Sequence, residues 1–328
     1  MRVSSTSLAR PHASAGERGG ENVHVTILSA RPELYSTRRL LEVATSRGNT
    51  VEVVNYKRCV LGLTAGRPVV LHQGAELVTD VVIPRLGATS SRFGAAVVRQ
   101  LEAAGVPTTV TAGAVLRSRD KLAALQALVA GGVPVPQTAA AREPSVNEDV
   151  LALIDSLPVV VKLLEGSAGH GVVLAETKKA AKALLSAFHQ LEADFLVQEF
   201  VAEAAGVDVR AFVVDGNVVA AMSRHAAPGD FRSNLHQGGV AQPVKLTTRE
   251  KRVAVAAAKT LGLSVAGVDI IRSSRGPLVL EVNVSPGLQG VEQASGVDVA
   301  SCIVDFAERL HAGDAQHRRT RPERRRRK

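Results

Sequence analysis

Residues 158–177 read PVVVKLLEGSAGHGVVLAET. Two short runs rich in β-branched residues, PVVVKLL (158–164) and GVVLAET (171–177), flank the polar stretch EGSAGH (165–170) and read as strands joined by a glycine loop. Gly166, Gly169 and Gly171, with Ser167 between them, would let backbone N–H groups curl around phosphate oxygens without Cβ clashes. No Gly-Lys-Ser/Thr follows, so this is not a Walker A loop. A strand rather than a helix follows, so it is not a dinucleotide fingerprint. What remains is a glycine loop between antiparallel strands, the shape of a lid over a nucleotide, although a plain flexible hairpin fits the same letters. Lys162 sits inside the first strand. A buried lysine is rare without a partner; a nucleotide phosphate would be one, and an edge strand with the amine reaching solvent is the other reading.

Upstream, HVTILSA (24–30), TVEVVNY (50–56) and VVIPRLG (81–87) read as strands, with helices over 34–47 and 94–104. This alternation predicts a doubly wound parallel α/β domain over 23–116. A second unit, 117–200, opens with Ser118-Arg-Asp-Lys as a helix cap before Leu122–Ala130, and closes on a helix over 178–191 and the strand FLVQEF (195–200). A third, 201–312, begins with VRAFVVDGNVVAAMSR (209–224), a strand, an Asp-Gly turn and a strand. The loop HAAPGDFRSNLHQGG (225–239) follows, then helices over 247–261 and 297–310 around the strand pair VAGVDIIR and PLVLEVNV. The class is therefore α/β: a parallel-sheet domain followed by a two-lobed α+β module.

The strand pair carries the second chemical signal. Glu281 and Asn283 are two apart and share one face of a strand. Asp269 on the preceding strand falls opposite Leu280 or Glu281, depending on the turn. The Glu281 register puts three oxygen side chains on one face, a set that suits magnesium with phosphates in the remaining positions. A solvated hairpin face is the alternative. The reading expects no cation close enough to neutralise these carboxylates. Arg210, and Arg232 in the loop, have the chemistry to stabilise charge on a transferring phosphoryl group.

Composition excludes several classes. No apolar run approaches the ~18 residues of a membrane span. There is no Trp, with seven Phe and two Tyr, too few aromatics for a base-stacking platform. Cys59 and Cys302 form neither a disulfide framework nor a zinc spacing, which fits the cytoplasm. The net charge of +9 is concentrated in HRRTRPERRRRK (317–328), whose seven Arg and one Lys face one Glu. Residues 1–22 and 313–328 read as a disordered extension and a basic disordered tail, the tail either plainly solvated or a contact for RNA or an acidic protein.

Taken in order, Lys162, the glycine loop, Gln198-Glu199-Phe200, Asp208, Phe231-Arg232-Ser233-Asn234, Asp269 and Glu281-Val-Asn283 form a combination that resembles the ATP-grasp ligases. Among them the chain is similar to the RimK type, which adds glutamate to the C-terminus of ribosomal small-subunit protein six. RSRDKL (117–122), GDFRSNLHQGG (229–239) and VAGVDIIRSSRGPLVLEVNVSPGL (265–288) carry the likeness most specifically. The resemblance implies the following roles. Lys162 and the loop contact ATP, Glu199 and Phe200 line the adenine, and Asp208 holds the ribose. Arg232, Ser233 and Asn234 form the nucleotide and reaction-centre loop, with Arg210, Arg232 and Asn234 catalytic. Asp269, Glu281 and Asn283 ligate two magnesium or manganese ions. It also implies glutamate and a protein C-terminus as substrates, no membrane, and a homo-oligomer. Ala168 and His170 inside the loop are departures. An acceptor that is a coenzyme, carrier protein or small peptide, and a non-catalytic nucleotide-binding regulator, are the other readings.

Overall fold

The computed structural model describes residues 22–87, 90–165, 171–204, 206–233, 235 and 238–320. Its first unit places β1 (His24–Ser29), α1 (Tyr35–Ser46) and β2 (Thr50–Val54) before a small antiparallel sheet of β3 (Cys59–Thr64), β4 (Arg67–His72) and β5 (Ala75–Glu76). Then come β6 (Val81–Arg85) and α2 (Ser91–Ala103). The strand order β2-β1-β6 is parallel throughout, with Ser29 and Arg85 paired at the carboxyl end. The small sheet was not expected. Its turns are Ala65-Gly66 and Gln73-Gly74, both residues of each pair at positive φ, the hairpin geometry that glycine makes cheap.

The helix α3 (Ala112–Arg119) crosses the boundary expected at 116/117, and α4 (Lys121–Ala130) follows at once. Ser118 is therefore inside a helix rather than capping one. Thr111 caps α3 through a bond from Ala114 N–H, and Asp120 caps α4 through one from Ala123 N–H. The central lobe continues with β7 (Thr138–Ala139), α5 (Asn147–Ile154), β8 (Val159–Leu163), β9 (Val172–Ala175), α6 (Lys178–Gln190) and β10 (Phe195–Glu199). Its antiparallel sheet, ordered β7-β10-β8-β9, has its own core of Ile154, Val161, Leu185, Phe195 and Val197.

The third unit holds β11 (Val207–Val214), β12 (Asn217–His225), β13 (Val240–Pro243), α7 (Thr248–Leu261), β14 (Val265–Ser273), β15 (Gly276–Asn283), α8 (Gln289–Ser295) and α9 (Val299–Thr320). Its sheet order is β13-β12-β11-β14-β15. The helix α7 starts at a full capping box, Thr247 with Glu250, and stops at Gly262 in the left-handed region. The closing helix runs on past Leu310 to Thr320, into the stretch expected to be tail. Ala312, Ala315, Gln316, Arg318 and Arg319 are good helix formers, against Gly313, Asp314, His317 and Thr320, which are weak ones, so propensity permits continuation without demanding it.

The first and third units share one apolar core, in which Ile27, Leu28 and Val82 join Phe212, Val268 and Ile303. Polar clasps close the same seam. Tyr35 donates to Glu292, Arg47 pairs with Glu308 at 3.1 Å, and Leu288 N–H donates to Ser36 Oγ at 2.9 Å. The carboxyl end of the parallel sheet is thereby held against the chain that leaves β15. Among the described residues no helix is long and apolar enough to cross a membrane.

Candidate active site

The hairpin β14–β15 turns through Ser273 and Gly276, and a regular ladder from that turn would set Asp269 opposite Leu280. An irregularity between Asp269 and Ile270 shifts the register by one, so that Asp269 pairs with Glu281 and Gly267 with Asn283. On the other side of β14, Arg210 of β11 pairs with Asp269. Arg210, Asp269 and Glu281 thus form one row across three strands.

The expectation of an un-neutralised carboxylate face is overturned. Arg210 grips Asp269 with two bonds of 2.6 Å, from Nε to Oδ1 and from Nη2 to Oδ2. Arg224 Nη2 reaches Asp269 Oδ2 at 2.8 Å while the same guanidinium holds Asp208 through Nε, at 2.7 Å, and Nη2. The cause is alternation along β11 and β12. Asp208 and Arg210 share a face, Arg224 stands directly opposite Asp208, and both arginines arrive beside Asp269. Asn283 Nδ2 donates to Asp269 Oδ2 at 3.3 Å and to Glu281 Oε1 at 3.1 Å. Asp269 is 2% exposed and receives four hydrogen bonds or ion contacts, about what a carboxylate can accept.

The two carboxylates are consequently in opposite states. Burial works against the Asp269 charge, but Arg210 and Arg224 outweigh it and hold the carboxyl below its ordinary range. Glu281 opens to solvent yet is crowded by protein. That crowding, and then the Asp269 charge, push its carboxyl up, with Arg210, Asn283 and Lys162 working the other way.

Lys162 of β8 donates from Nζ to Gln198 Oε1 at 2.6 Å and lies within the fields of Glu281, Lys121 and Asp269; burial pulls its amine down. Lys121 donates to the carbonyls of Leu163 and Leu164 at 2.8 and 2.9 Å, at the start of the glycine loop. Gly166, Ser167, Gly169 and Asn234 lie outside the described residues. Gly171, at φ +73°, closes the base of the loop by accepting from Leu163 N–H, and a Cβ there would stand 2.8 Å from Leu163 Cδ1.

The remaining sequence-predicted residues are tied down within the protein. Asp208, read as the ribose carboxylate, is 5% exposed and its oxygens are taken by Arg224 and by Ser233 Oγ at 2.6 Å, which leaves it little to offer a sugar. Arg232 pairs with Asp230 at 2.9 Å, and that bond pulls the Asp230 carboxyl down to about 2. Glu199 pairs with Arg275 and accepts from Gln137 N–H at 2.8 Å, tying the segment after β10 to the hairpin turn; Phe200 meets Phe231 edge-on at 6.1 Å. Sequence reasoning missed Arg224 and Lys121. The signal was present in Arg224, a charge at the end of an otherwise apolar strand.

The residue types suit a hard cation, two carboxylates and a neutral amide, but Arg210, Arg224 and Asn283 already meet both Asp269 oxygens, so a cation would have to displace some of those contacts. Among the described residues no three of His, Cys, Asp and Glu cluster as a metal centre, so this set needs outside ligands such as phosphate oxygens to complete a coordination sphere. The RimK-like ATP-grasp domain matches residues 118–307 and the RimK pre-ATP-grasp domain matches 23–115. The chain belongs to the RimK-like ATP-grasp family. It is an ATP-dependent carboxylate–amine ligase, as the family's chemistry and the oxygen-rich hairpin agree. A protein named probable alpha-L-glutamate ligase from Thioalkalivibrio sulfidiphilus is 53% identical over 87% of this chain and 95% of its own. One of the same name from Aliivibrio fischeri is 51% identical over 88% and 96%. A solved RimK domain ATP-grasp protein from Sphaerobacter thermophilus is 25% identical, with a TM-score of 0.68 over 87% of this chain and 99% of that one. D-alanine–D-alanine ligase from Bacillus anthracis, solved with ATP, shares the fold at a TM-score of 0.61 and 16% identity, over 90% of this chain and 99% of its own.

Proposed function

We propose that the chain joins the amine of L-glutamate to the C-terminal carboxylate of a protein, and that the protein is one of the ribosomal small subunit. The relatives' names support glutamate as the amine. The observation that carries the chemistry is the row Arg210–Asp269–Glu281, fixed by strand register rather than by loops. In this reading Asp269, Glu281 and Asn283 hold two magnesium or manganese ions, whose chemistry when bound is to neutralise charge on ATP phosphates.

The acceptor carboxylate oxygen attacks the γ-phosphorus, the bond to the bridging oxygen breaks, and ADP leaves. The glutamate amine then attacks the acyl carbon, phosphate leaves with its bonding pair, and the amine gives up its proton. Amide formation from a free carboxylate is uphill in water, and the phosphoryl group makes the leaving group good. The chain needs no covalent nucleophile. Lys162 supplies positive charge toward the ATP phosphates, and Arg232 and Asn234 serve the transferring group. Arg210 and Arg224 fix the Asp269 carboxylate, and Asp208 with Ser233 fixes Arg224 in turn. We place the reaction in the cytoplasm, where the free thiols of Cys59 and Cys302 stay reduced.

The test is mass spectrometry of purified ribosomes and of lysate proteins after incubation with the chain, ATP, magnesium and isotopically labelled glutamate. Whole glutamate residues added to the C-terminus of one small ribosomal protein is the expected result. Label on a coenzyme, carrier protein or short peptide instead would replace the acceptor. Full occupancy of the nucleotide site with no ADP release would remove the ligase reading altogether.

A further inference from the structure

Among the described residues, two buried side-chain polar atoms have no hydrogen-bond partner, and they are neighbours in the chain: Ser118 Oγ and Arg119 Nε. Buried polar atoms are rarely left unpaired, and such an atom in a native structure calls for a partner. Arg119 ends α3 and spends one bond, Nη2, on the carbonyl of Leu86 at 2.7 Å. Arg85 ends β6 and donates from Nη2 to the carbonyl of Pro286 at 2.6 Å. Neither guanidinium has an ion-paired carboxylate among the described residues. Elsewhere the chain treats buried arginines differently: Arg210 and Arg224 are locked onto Asp269 and Asp208.

Arg119 is anchored to the residue that follows Arg85, which brings the two side chains to one corner of the fold. Burial, and then Arg119, push Arg85 down to about 10, which leaves it charged at neutral pH. Arg119 is lowered by burial, with Tyr56 and Glu281 working the other way. Two charged guanidiniums beside one another, with carbonyls for partners, are an expensive arrangement unless an anion completes it.

Their position says which anion. Arg85 stands at the carboxyl end of the parallel sheet, the edge beyond which α/β sheets hold ligands. Pro286 and Ser285, which bind Arg85 and the Leu86 N–H, belong to the chain leaving Glu281 and Asn283. Arg119 holds the Leu86 carbonyl and Arg85 the Pro286 carbonyl, so both guanidiniums are anchored where the end of the parallel sheet meets the chain leaving the hairpin. In the proposed reading the ATP phosphates face Lys162 and the glycine loop, and the acceptor carboxylate turns toward the γ-phosphorus and is converted to an acyl phosphate. The anion that keeps its charge through the reaction is the amino-acid substrate.

We propose that Arg85 and Arg119, assisted by Ser118 Oγ, bind the two carboxylates of the incoming glutamate and select it over neutral amino acids. The inference rests on glutamate as the amine substrate. When the amine is the nucleophile, both carboxylates of glutamate stay free, and two guanidiniums that hold only a backbone carbonyl each among the described residues match two free carboxylates. Glutamine would leave one half-buried cation without a counter-charge, the kind of mismatch that polar sites reject.

The experiment is calorimetry of L-glutamate and L-glutamine binding to the full chain, loaded with magnesium and a non-hydrolysable ATP analogue. Wild type should bind glutamate and discriminate against glutamine. Arg85→Gln and Arg119→Gln should each weaken glutamate binding by about 30-fold or more while leaving the affinity for the ATP analogue unchanged. Arg85→Lys and Arg119→Lys keep a cation without the fork, should weaken binding by roughly tenfold, and are the variants to read if the Gln proteins do not fold. Wild-type glutamate affinity in the folded variants, no glutamate binding to wild type, or a loss confined to the ATP analogue would each overturn the proposal. If the mass-spectrometric test succeeds and the variants bind normally, only this inference falls. If arginine-dependent glutamate binding is found and no ligation occurs, the ligase reading falls and the site stands.

Discussion

Asp269 and Glu281 face each other across adjacent strands, yet their removal should have opposite consequences. Asp269 is the common partner of Arg210 and Arg224, so Asp269→Asn leaves two buried guanidiniums under-compensated and should cost about 3–5 kcal/mol. Its folded pKa lies below the ordinary 3.8, so this contribution is present at neutral pH and is lost as pH falls through the acid range. The folded pKa of Glu281 lies above the ordinary 4.5, so its ionised form weighs against the fold at neutral pH and that weight vanishes at lower pH. Glu281→Gln should therefore melt no lower than wild type at neutral pH without ligand, lose most of the stabilisation by magnesium–ATP, and release almost no ADP. Paired thermal melts, with and without magnesium–ATP, check both variants, and equal shifts of the same sign would show that the two carboxylates form one undivided repulsive pair. Lys162→Met is a third case. It removes a charge that burial disfavours but strands Gln198 Oε1, two effects of a few kcal/mol or less that oppose each other. The variant should stay folded and lose nucleotide affinity, and an unchanged ATP-dependent melting shift would make Lys162 a structural strand residue.

At the scale of the element, the irregularity in β14–β15 decides the site. It is held in place from outside the hairpin. A Cβ on Gly267 would stand 2.7 Å from Pro286 Cβ, and Pro286 is rigid and fastened to Arg85. Gly267→Ala should therefore force the 285–288 chain outward, cost about 1–3 kcal/mol, and weaken glutamate binding through Arg85. Denaturant melts and the glutamate titration measure the two effects, and a variant unchanged in both would mean that this chain has slack. The bulge also marks where sequence reading stopped. Alternation placed Glu281 and Asn283 on one face, and apolar runs located β1, β2, β6, β8 to β12, β14 and β15 to within two residues, while β3 to β5, β7 and β13 were not read as strands. The letters could not choose between Leu280 and Glu281 opposite Asp269, because register depends on what packs behind the strand. Arg210 was legible as a cation for phosphoryl chemistry. Its grip on Asp269 was not, since it follows from pairing between strands 59 residues apart. The β3–β5 sheet was legible in principle from Ala65-Gly66 and Gln73-Gly74, turn signals between apolar runs.

At the scale of the molecule, the charge of the chain and the site of its chemistry are separated. Residues 317–328 carry most of the net +9, and the catalytic sheet is almost balanced internally, with arginines against aspartates. The helix α9 that leads to the basic end is anchored well before it. Val299, Ala300, Ile303, Val304, Phe306 and Ala307 are buried, and Arg47 and Asn49 of the first unit hold Glu308. Val299, Ile303, Val304 and Phe306 each contribute roughly 1.5–3 kcal/mol and the alanines less, so the helix keeps its seat without its last turns. Among the described residues, every buried position of this seat lies before Leu310. A protein ending at Gly313 should melt with wild type and bind magnesium–ATP with unchanged affinity. What it should lose is long-range attraction for an acidic or RNA-bearing acceptor, which screens with salt. With ribosomes as substrate, the full chain should therefore work faster than the shortened one at low salt, and the two should converge as salt is raised. A shortened protein that no longer bound ATP would place the basic end inside the catalytic unit, and a rate gap that persisted at high salt would make its contact one of shape rather than of charge.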